Sequence, residues 1–251
     1  MIASIHSYRG GTGKSNLTAN LAYLLAVAGK RVAVVDTDIQ SPGIHIIFNV
    51  DQQKLTWCLN DFLWRKCSIE DTAVEVEFEE PVPSGRLYLI PSSTNSGDIA
   101  RILNDGYNVE LLSDGFEQLC EKLALDFLLI DTHPGLNEET LLSLAISNKL
   151  LVIMRPDQQD FEGSSITLQV ASRLHVDDIM VVINKVPSRL DQQALKTDVE
   201  TAYGFPVVAV LPHDDDLMVL GSKQLFTRVF PEHDLTGRFK LLQNHFLNSI
   251  A

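Results

Sequence analysis
Short, mostly apolar runs alternate along the chain with longer stretches in which apolar positions recur every three or four residues. The runs 2–6, 32–36, 87–91, 127–131, 150–154, 179–184 and 207–211 predict strands. Several are apolar at nearly every position, as a strand covered on both faces requires. Leu17, Leu21, Leu24 and Ala28 share one face of a predicted helix, and Gly29 supplies its stop. Alternation of this kind implies an α/β fold with a mostly parallel, doubly wound sheet flanked by helices. Between Glu70 and Arg86, Val74, Val76 and Phe78 alternate with Glu75, Glu77 and Glu79, and Pro81, Pro83 and Gly85 follow as a turn. An acidic edge strand fits that pattern, since charge discourages strand addition; a docking site for a basic partner is the alternative. Trp57 and Trp64, with Leu59 and Phe62 or Leu63 between them, predict an apolar helix face rather than a ligand cage.

Composition narrows the picture. The 251 residues are 45% apolar, enough for one sizeable core, so a single domain over 1–251 is expected. Thirty-three acidic against 20 basic residues give a net charge of −13, which opposes docking onto phosphate backbones or anionic lipid. Cys58, Cys67 and Cys120 form neither a CxxC pair nor a zinc spacing with histidine, so a disulfide framework or structural metal is not expected. No apolar run approaches the roughly 20 residues that cross a bilayer. His6, Ser7 and Arg9 interrupt the first apolar run, unlike a signal peptide. A cytoplasmic protein is the expectation.

The chemistry begins with Ser7-Tyr8-Arg9-Gly10-Gly11-Thr12-Gly13-Lys14-Ser15-Asn16, which leaves a predicted strand and enters a predicted helix. Glycines let successive backbone N–H groups point at one phosphate, and the helix N-terminus adds partial positive charge. Lys14 would reach the β and γ phosphates, and the Ser15 hydroxyl would ligate Mg²⁺. The plain Walker A pattern wants glycine six residues before the lysine, where Tyr8 stands. A ligand-free glycine-rich turn is the bland alternative, but strand, loop, Lys-Ser and helix coincide here. Nucleotide binding is therefore assigned to Gly10, Gly11, Thr12, Gly13, Lys14, Ser15 and Asn16.

Two later segments join it: Val35-Asp36-Thr37-Asp38, and Phe127 to Asp131 followed by Thr132-His133-Pro134-Gly135. In this order the three motifs resemble the deviant Walker A, the Asp-x-Asp first switch and the Asp-x-x-Pro-Gly second switch of the ParA/MinD family of P-loop ATPases. The resemblance covers residues 2–230 and implies a P-loop NTPase fold, bound ATP or ADP, and Mg²⁺. Phosphoryl transfer to water needs cations and a group that orients the water. Asp131 closes an apolar strand, well placed for Mg²⁺, and Asp36 is a candidate for the same outer shell. Asp38 matches the family's water-orienting aspartate. Asn184-Lys185 is similar to the family's pair at the adenine edge, and Pro212-His213-Asp214 to its loop over the base; plain surface turns remain the alternative. Arg9 stands where the family has the signature lysine that touches a partner's ATP across a dimer. Arginine keeps the charge and offers paired donors, and a local pairing with carboxylates is the bland reading.

The resemblance further implies a slow, partner-stimulated ATP hydrolase in which ATP closes a homodimer. It also implies an activating or cargo protein, and work in intracellular positioning, partitioning or regulation of a partner assembly. A nucleotide-gated scaffold with little hydrolysis is the alternative. Leu235, Phe239, Leu242 and Phe246 share a helical face with only Arg238 and Lys240 nearby, so a core helix is expected there rather than a membrane anchor. Residues 151–251 carry 9 basic and 13 acidic residues without a cluster; non-specific DNA binding stays open. No cysteine follows Cys120, which disfavours the iron–sulfur and metal-insertion relatives. His133 could sense the γ-phosphate, but a solvent-facing residue is expected.

Overall fold
The computed structural model describes residues 1–78 and 85–248; Glu79, Pro81 and Pro83 of the expected acidic hairpin lie outside them. Among the described residues, eight strands form one sheet: β1 (Ile2–His6), β2 (Arg31–Asp36), β3 (Val74–Glu75), β4 (Arg86–Ile90), β5 (Phe127–Asp131), β6 (Lys149–Met154), β7 (Asp178–Val186) and β8 (Val207–Pro212), in the order β3-β4-β2-β5-β1-β6-β7-β8. Every pairing is parallel except β3 with β4. Among the described residues, the alternation begun at Val74 becomes a short edge strand, Val74 opposite Leu89 and Glu75 opposite Tyr88, with Val76 N–H still donating to the Leu87 carbonyl. β6 and β7 start one residue earlier than their apolar runs suggest, because Lys149 and Asp178 are register partners joined as an ion pair.

Side chains alternate between the two faces as strand geometry demands. Val32 and Val34 enter one core cluster with Leu17, Leu21 and Leu25 of α1 (Lys14–Val27), while Ala33 and Val35 enter another with Leu112, Phe116 and Leu119. The intervening helices are α2 (Ile44–Ile47), α3 (Leu59–Leu63), α4 (Ser96–Asp105) and α5 (Glu110–Lys122). After β5 come α6 (Glu138–Ala145), α7 (Gln158–Arg173), α8 (Gln192–Tyr203), α9 (Asp215–Leu220), α10 (Phe226–Val229) and α11 (Asp234–Leu247). A third cluster joins β6 and β7 to Leu168 of α7 and Val199 of α8. Leu235, Phe239, Leu242 and Phe246 of α11 are buried in the first cluster, so that apolar stripe is core.

The two tryptophans do not share a helix face. Cys58 caps α3, whose five residues leave Trp57 before its start and Trp64 at its end. Trp64 instead lies under the guanidinium of Arg101, 4.3 Å from the ring centroid.

β1 has β5 on one side and β6 on the other, while the chain leaving it runs through α1 to β2, beyond β5. The crevice at the carboxyl ends of strands near such a change of direction is where open α/β sheets bind ligands. The loops after β1, β2 and β5 carry the three motifs to that crevice.

Candidate functional site
Gly13 caps α1 with φ +94° and Gly11 has φ +76°, backbone that favours glycine. Gly13 is doubly constrained, since a Cβ there would come within 2.5 Å of Asn184 Nδ2. Lys14 opens α1 and is buried; its Nζ donates to Asp131 Oδ1 at 2.9 Å. The Thr18 hydroxyl, one turn later, lies 3.1 Å from the same oxygen and 3.0 Å from the Lys14 carbonyl, with its one hydrogen shared between them. Asp131 thus closes β5 fixed from two sides.

Asp36 and Asp131 are register partners at the ends of adjacent strands. Asp36 is buried, and its two carboxylate oxygens accept from the N–H groups of Asp38 (3.1 Å) and Gly43 (3.2 Å). Burial, then the charge of Asp131, pushes the Asp36 carboxyl up to about 8. Two buried carboxylates against one ammonium make a set of hard oxygen donors, with Ser15 lining the cavity alongside Asp36. That set fits Mg²⁺.

Asp38 Oδ1 takes a 2.7 Å hydrogen bond from His133 Nδ1 and a 3.2 Å bond from Ser41 N–H. This overturns the solvent-facing expectation for His133, whose side chain is 23% exposed. The second switch is brought against the first by the register of β2 and β5, and a carboxylate there gives the imidazole a partner.

His6 was not singled out by sequence. It is fully buried at the end of β1, and its Nδ1 lies 2.8 Å from Thr132 Oγ1. Because Thr132 donates its own hydrogen to the Ile5 carbonyl, His6 Nδ1 is the donor. Burial first, then Lys14 and His133, lowers its pKa to about 3.

A cavity of about 370 Å³ is lined by residues 10–16 together with Ser7, Asp36, Asp38, Ser41, Gly43, Pro134 and Ser222, among others. It shares Gly13, Asn16 and Ser222 with a second cavity of about 220 Å³ that holds Asn184, Lys185, Pro212, His213 and Asp214. The five expected base-contact residues therefore come together beside the phosphate loop. Asn184 Nδ2 donates to the Thr12 carbonyl and Lys185 Nζ to the Gly11 carbonyl, each at 2.8 Å. Asp214 also caps α9, accepting from Leu217 N–H. His233 Nε2 approaches Asp214 and Asp216, but His233 Nδ1 accepts from Leu235 N–H. The remaining hydrogen then sits on Nε2, which makes it a donor to the carboxylates and not a metal ligand.

Arg9 does not line either cavity. Its Nη1 lies 3.6 Å from Asp157 and 3.7 Å from Asp160, at the start of α7, and Asp160 is also gripped by Arg155. Next to it, Tyr8 packs so closely on α7 that a Cβ on Gly163 would fall 1.9 Å from the ring. Thr18 could have been found from sequence, since it lies one helical turn after Lys14. Nothing local marks Ser222, Gly163 or the Asp157–Asp160 pair.

The chain matches the CobQ/CobB/MinD/ParA nucleotide-binding domain over residues 3–226. It is 30% identical over 211 residues to an uncharacterized ATP-binding protein of Methanocaldococcus jannaschii, covering 84% of this chain and 74% of that one. It is 23% identical over 225 residues to the septum site-determining protein MinD of a Synechocystis species, covering 88% and 79%. The solved structure of MinD from Pyrococcus horikoshii, complexed with Mg-ADP, superposes with a TM-score of 0.82 at 22% identity, covering 97% and 94%. The fold and site define a P-loop nucleotide-binding protein. This chain belongs to the CobQ/CobB/MinD/ParA family.

Proposed function
We propose that the protein is a Mg²⁺-dependent ATPase whose nucleotide state gates a homodimer, working in the cytoplasm to position or partition a cargo or to regulate a partner assembly. One observation carries this reading: Lys14, Asp36 and Asp38 converge on the cavity walled by residues 10–16. An ATP-binding relative at 30% identity and a MinD relative at 23% support the choice of nucleotide and of role.

Each residue has a task that its position suits. Residues 10–13 and the α1 N-terminus cradle phosphate oxygens, and Lys14 neutralises their charge. Ser15, Asp36 and Asp131 would hold Mg²⁺, which supplies further neutralisation when bound. Asp38 orients the attacking water. Asn184, Lys185 and the 212–214 loop wall the space for the base. Arg9 keeps a cation at the mouth of the loop and reaches a second copy's nucleotide once it leaves Asp157 and Asp160.

The same pairing of Arg9 with two carboxylates favours a second reading, a scaffold that binds ATP and hardly hydrolyses it. Light scattering in Mg²⁺-ADP and Mg²⁺-ATP, run beside a phosphate-release assay, separates the two. Expected are a doubled mass in ATP alone, its loss in Arg9→Ala, and a fall in turnover of about 100-fold or more in Asp38→Ala. Unchanged basal turnover in Asp38→Ala would remove Asp38 from the mechanism, and an unchanged mass in both nucleotides would reject the gated dimer.

A further inference from the structure
The Asp38 carboxylate is not symmetrically held. Oδ1 receives the His133 Nδ1 bond at 2.7 Å and a share of the Ser41 N–H, which lies 3.2 Å from Oδ1 and 3.2 Å from the Asp38 carbonyl. Oδ2 receives no hydrogen bond from any described residue, although Asp38 lines the phosphate cavity. A carboxylate only accepts, so the hydrogen in the short contact sits on His133 Nδ1.

His133 is itself rigidly placed. On either side of it, Thr132 N–H and Gly135 N–H donate to the carbonyls of Ile5 and Ser7, which ties the segment to the end of β1 and the start of the phosphate loop. Its own carbonyl accepts from Thr140 Oγ1 of α6 at 3.3 Å. Asp38, by contrast, sits on the loop after β2. One imidazole therefore connects the first-switch carboxylate to the frame that carries the phosphate loop.

We propose that His133 is a positioning residue for hydrolysis: its Nδ1–H clamps Oδ1 of Asp38 and so presents Oδ2 to the attacking water. The inference rests on the reading of Asp38 as the water-orienting group. It goes beyond that reading by assigning the orientation to a side chain on the other switch. Fixing one oxygen removes the rotation of the carboxylate about its Cβ–Cγ bond, which would otherwise blur the angle at which the water is held.

The geometry yields a selective rescue. Asparagine places its Nδ2 where histidine carries Nδ1, whereas glutamine places its amide nitrogen where histidine carries Nε2. Single-turnover ATP hydrolysis and binding of a fluorescent ATP analogue would be measured for wild type, His133→Ala, His133→Asn, His133→Gln, Asp38→Ala and the His133→Ala/Asp38→Ala pair. His133→Ala is expected to slow the hydrolytic step about tenfold, less than loss of the water-orienting group itself, with analogue affinity within about twofold of wild type. His133→Asn should recover most of the rate and His133→Gln should not. In the Asp38→Ala background, His133→Ala should cost nothing further, as expected of groups that act as a unit.

Asparagine no better than alanine would overturn the clamp, as would an unchanged rate in His133→Ala or additive losses in the double variant. The two readings fail separately. If Asp38→Ala hydrolyses at the wild-type rate, the role of Asp38 falls and takes the clamp with it. If Asp38→Ala is slow while His133→Ala matches wild type, only the clamp falls.

Discussion
A histidine buried without charge makes stability depend on acid. His6 has no access to solvent, and its pKa is lowered from 6.5 to about 3. The unfolded chain takes up a proton as pH falls below 6.5, and the folded chain does not. The contribution is therefore fully present above 6.5 and is lost progressively as pH drops towards 3. At pH 5 that loss is about 2 kcal/mol, at 1.36 kcal/mol for each pH unit below the unfolded value. His6→Asn keeps a donor towards Thr132 and removes the titration. Thermal unfolding at pH 7.5 and pH 5 should show a melting temperature that falls less in His6→Asn, by about 4–8 °C. Equal falls in both proteins would mean that His6 is protonated in the fold. Lys14 came into view from the spacing of its glycine-rich loop, and Asp36, Asp38 and Asp131 from the resemblance of their segments to the switch motifs of the ParA/MinD family, because phosphate chemistry restricts which residue types can stand there. His6 and His133 stayed hidden or misjudged for a physical reason: each is defined by a hydrogen bond across 95 or more positions, to Thr132 and to Asp38.

Elements explain what single residues leave open. Tyr8 reads in the sequence only as a departure from the glycine of the plain Walker pattern. In the fold it is the piece of the phosphate loop that seats on α7, and Gly163 is the recess that admits its ring. The contact joins the loop to the helix whose first turn holds Arg9 through Asp157 and Asp160. Gly163→Ala drives a Cβ into the Tyr8 ring, so it should destabilise the protein by about 1–3 kcal/mol, as overpacked sites do. The displaced loop should also weaken nucleotide binding. Tyr8→Gly in the same chain removes the obstruction, and chemical denaturation of the two single variants and the double variant should show partial recovery. A double variant no more stable than Gly163→Ala would show that the strain lies elsewhere. The strands were legible because burial on both faces leaves an apolar run that few other elements produce. The edge was less so, since the alternation from Val74 to Glu79 does not say where the described pairing with β4 stops, at the bond from Val76 N–H to the Leu87 carbonyl. Paired partners, not pattern, end a strand.

For the whole molecule, charge sets how copies meet. Each chain carries −13, so two chains that associate bring together like charges spread over their surfaces. Such repulsion acts over distances comparable with the Debye length, about 10 Å at 0.1 M salt, and is screened as salt rises. In the proposed dimer, a contact between Arg9 and a phosphate of the second copy would be short and desolvated on association, so salt would weaken it far less. The proposed ATP-dependent dimer should therefore tighten, by a few-fold, between about 50 and 300 mM potassium chloride when followed by sedimentation in the analytical ultracentrifuge. Non-specific DNA binding has the opposite dependence, because each phosphate contact releases counterions and salt opposes it. Running the same titration with and without duplex DNA thus separates self-association from a nucleic-acid surface on the sign of one slope. A dimer that weakens steeply with salt would mean that exposed ion pairs between the copies hold it. In that case the acidic surface would be matched against a basic patch that the net charge conceals.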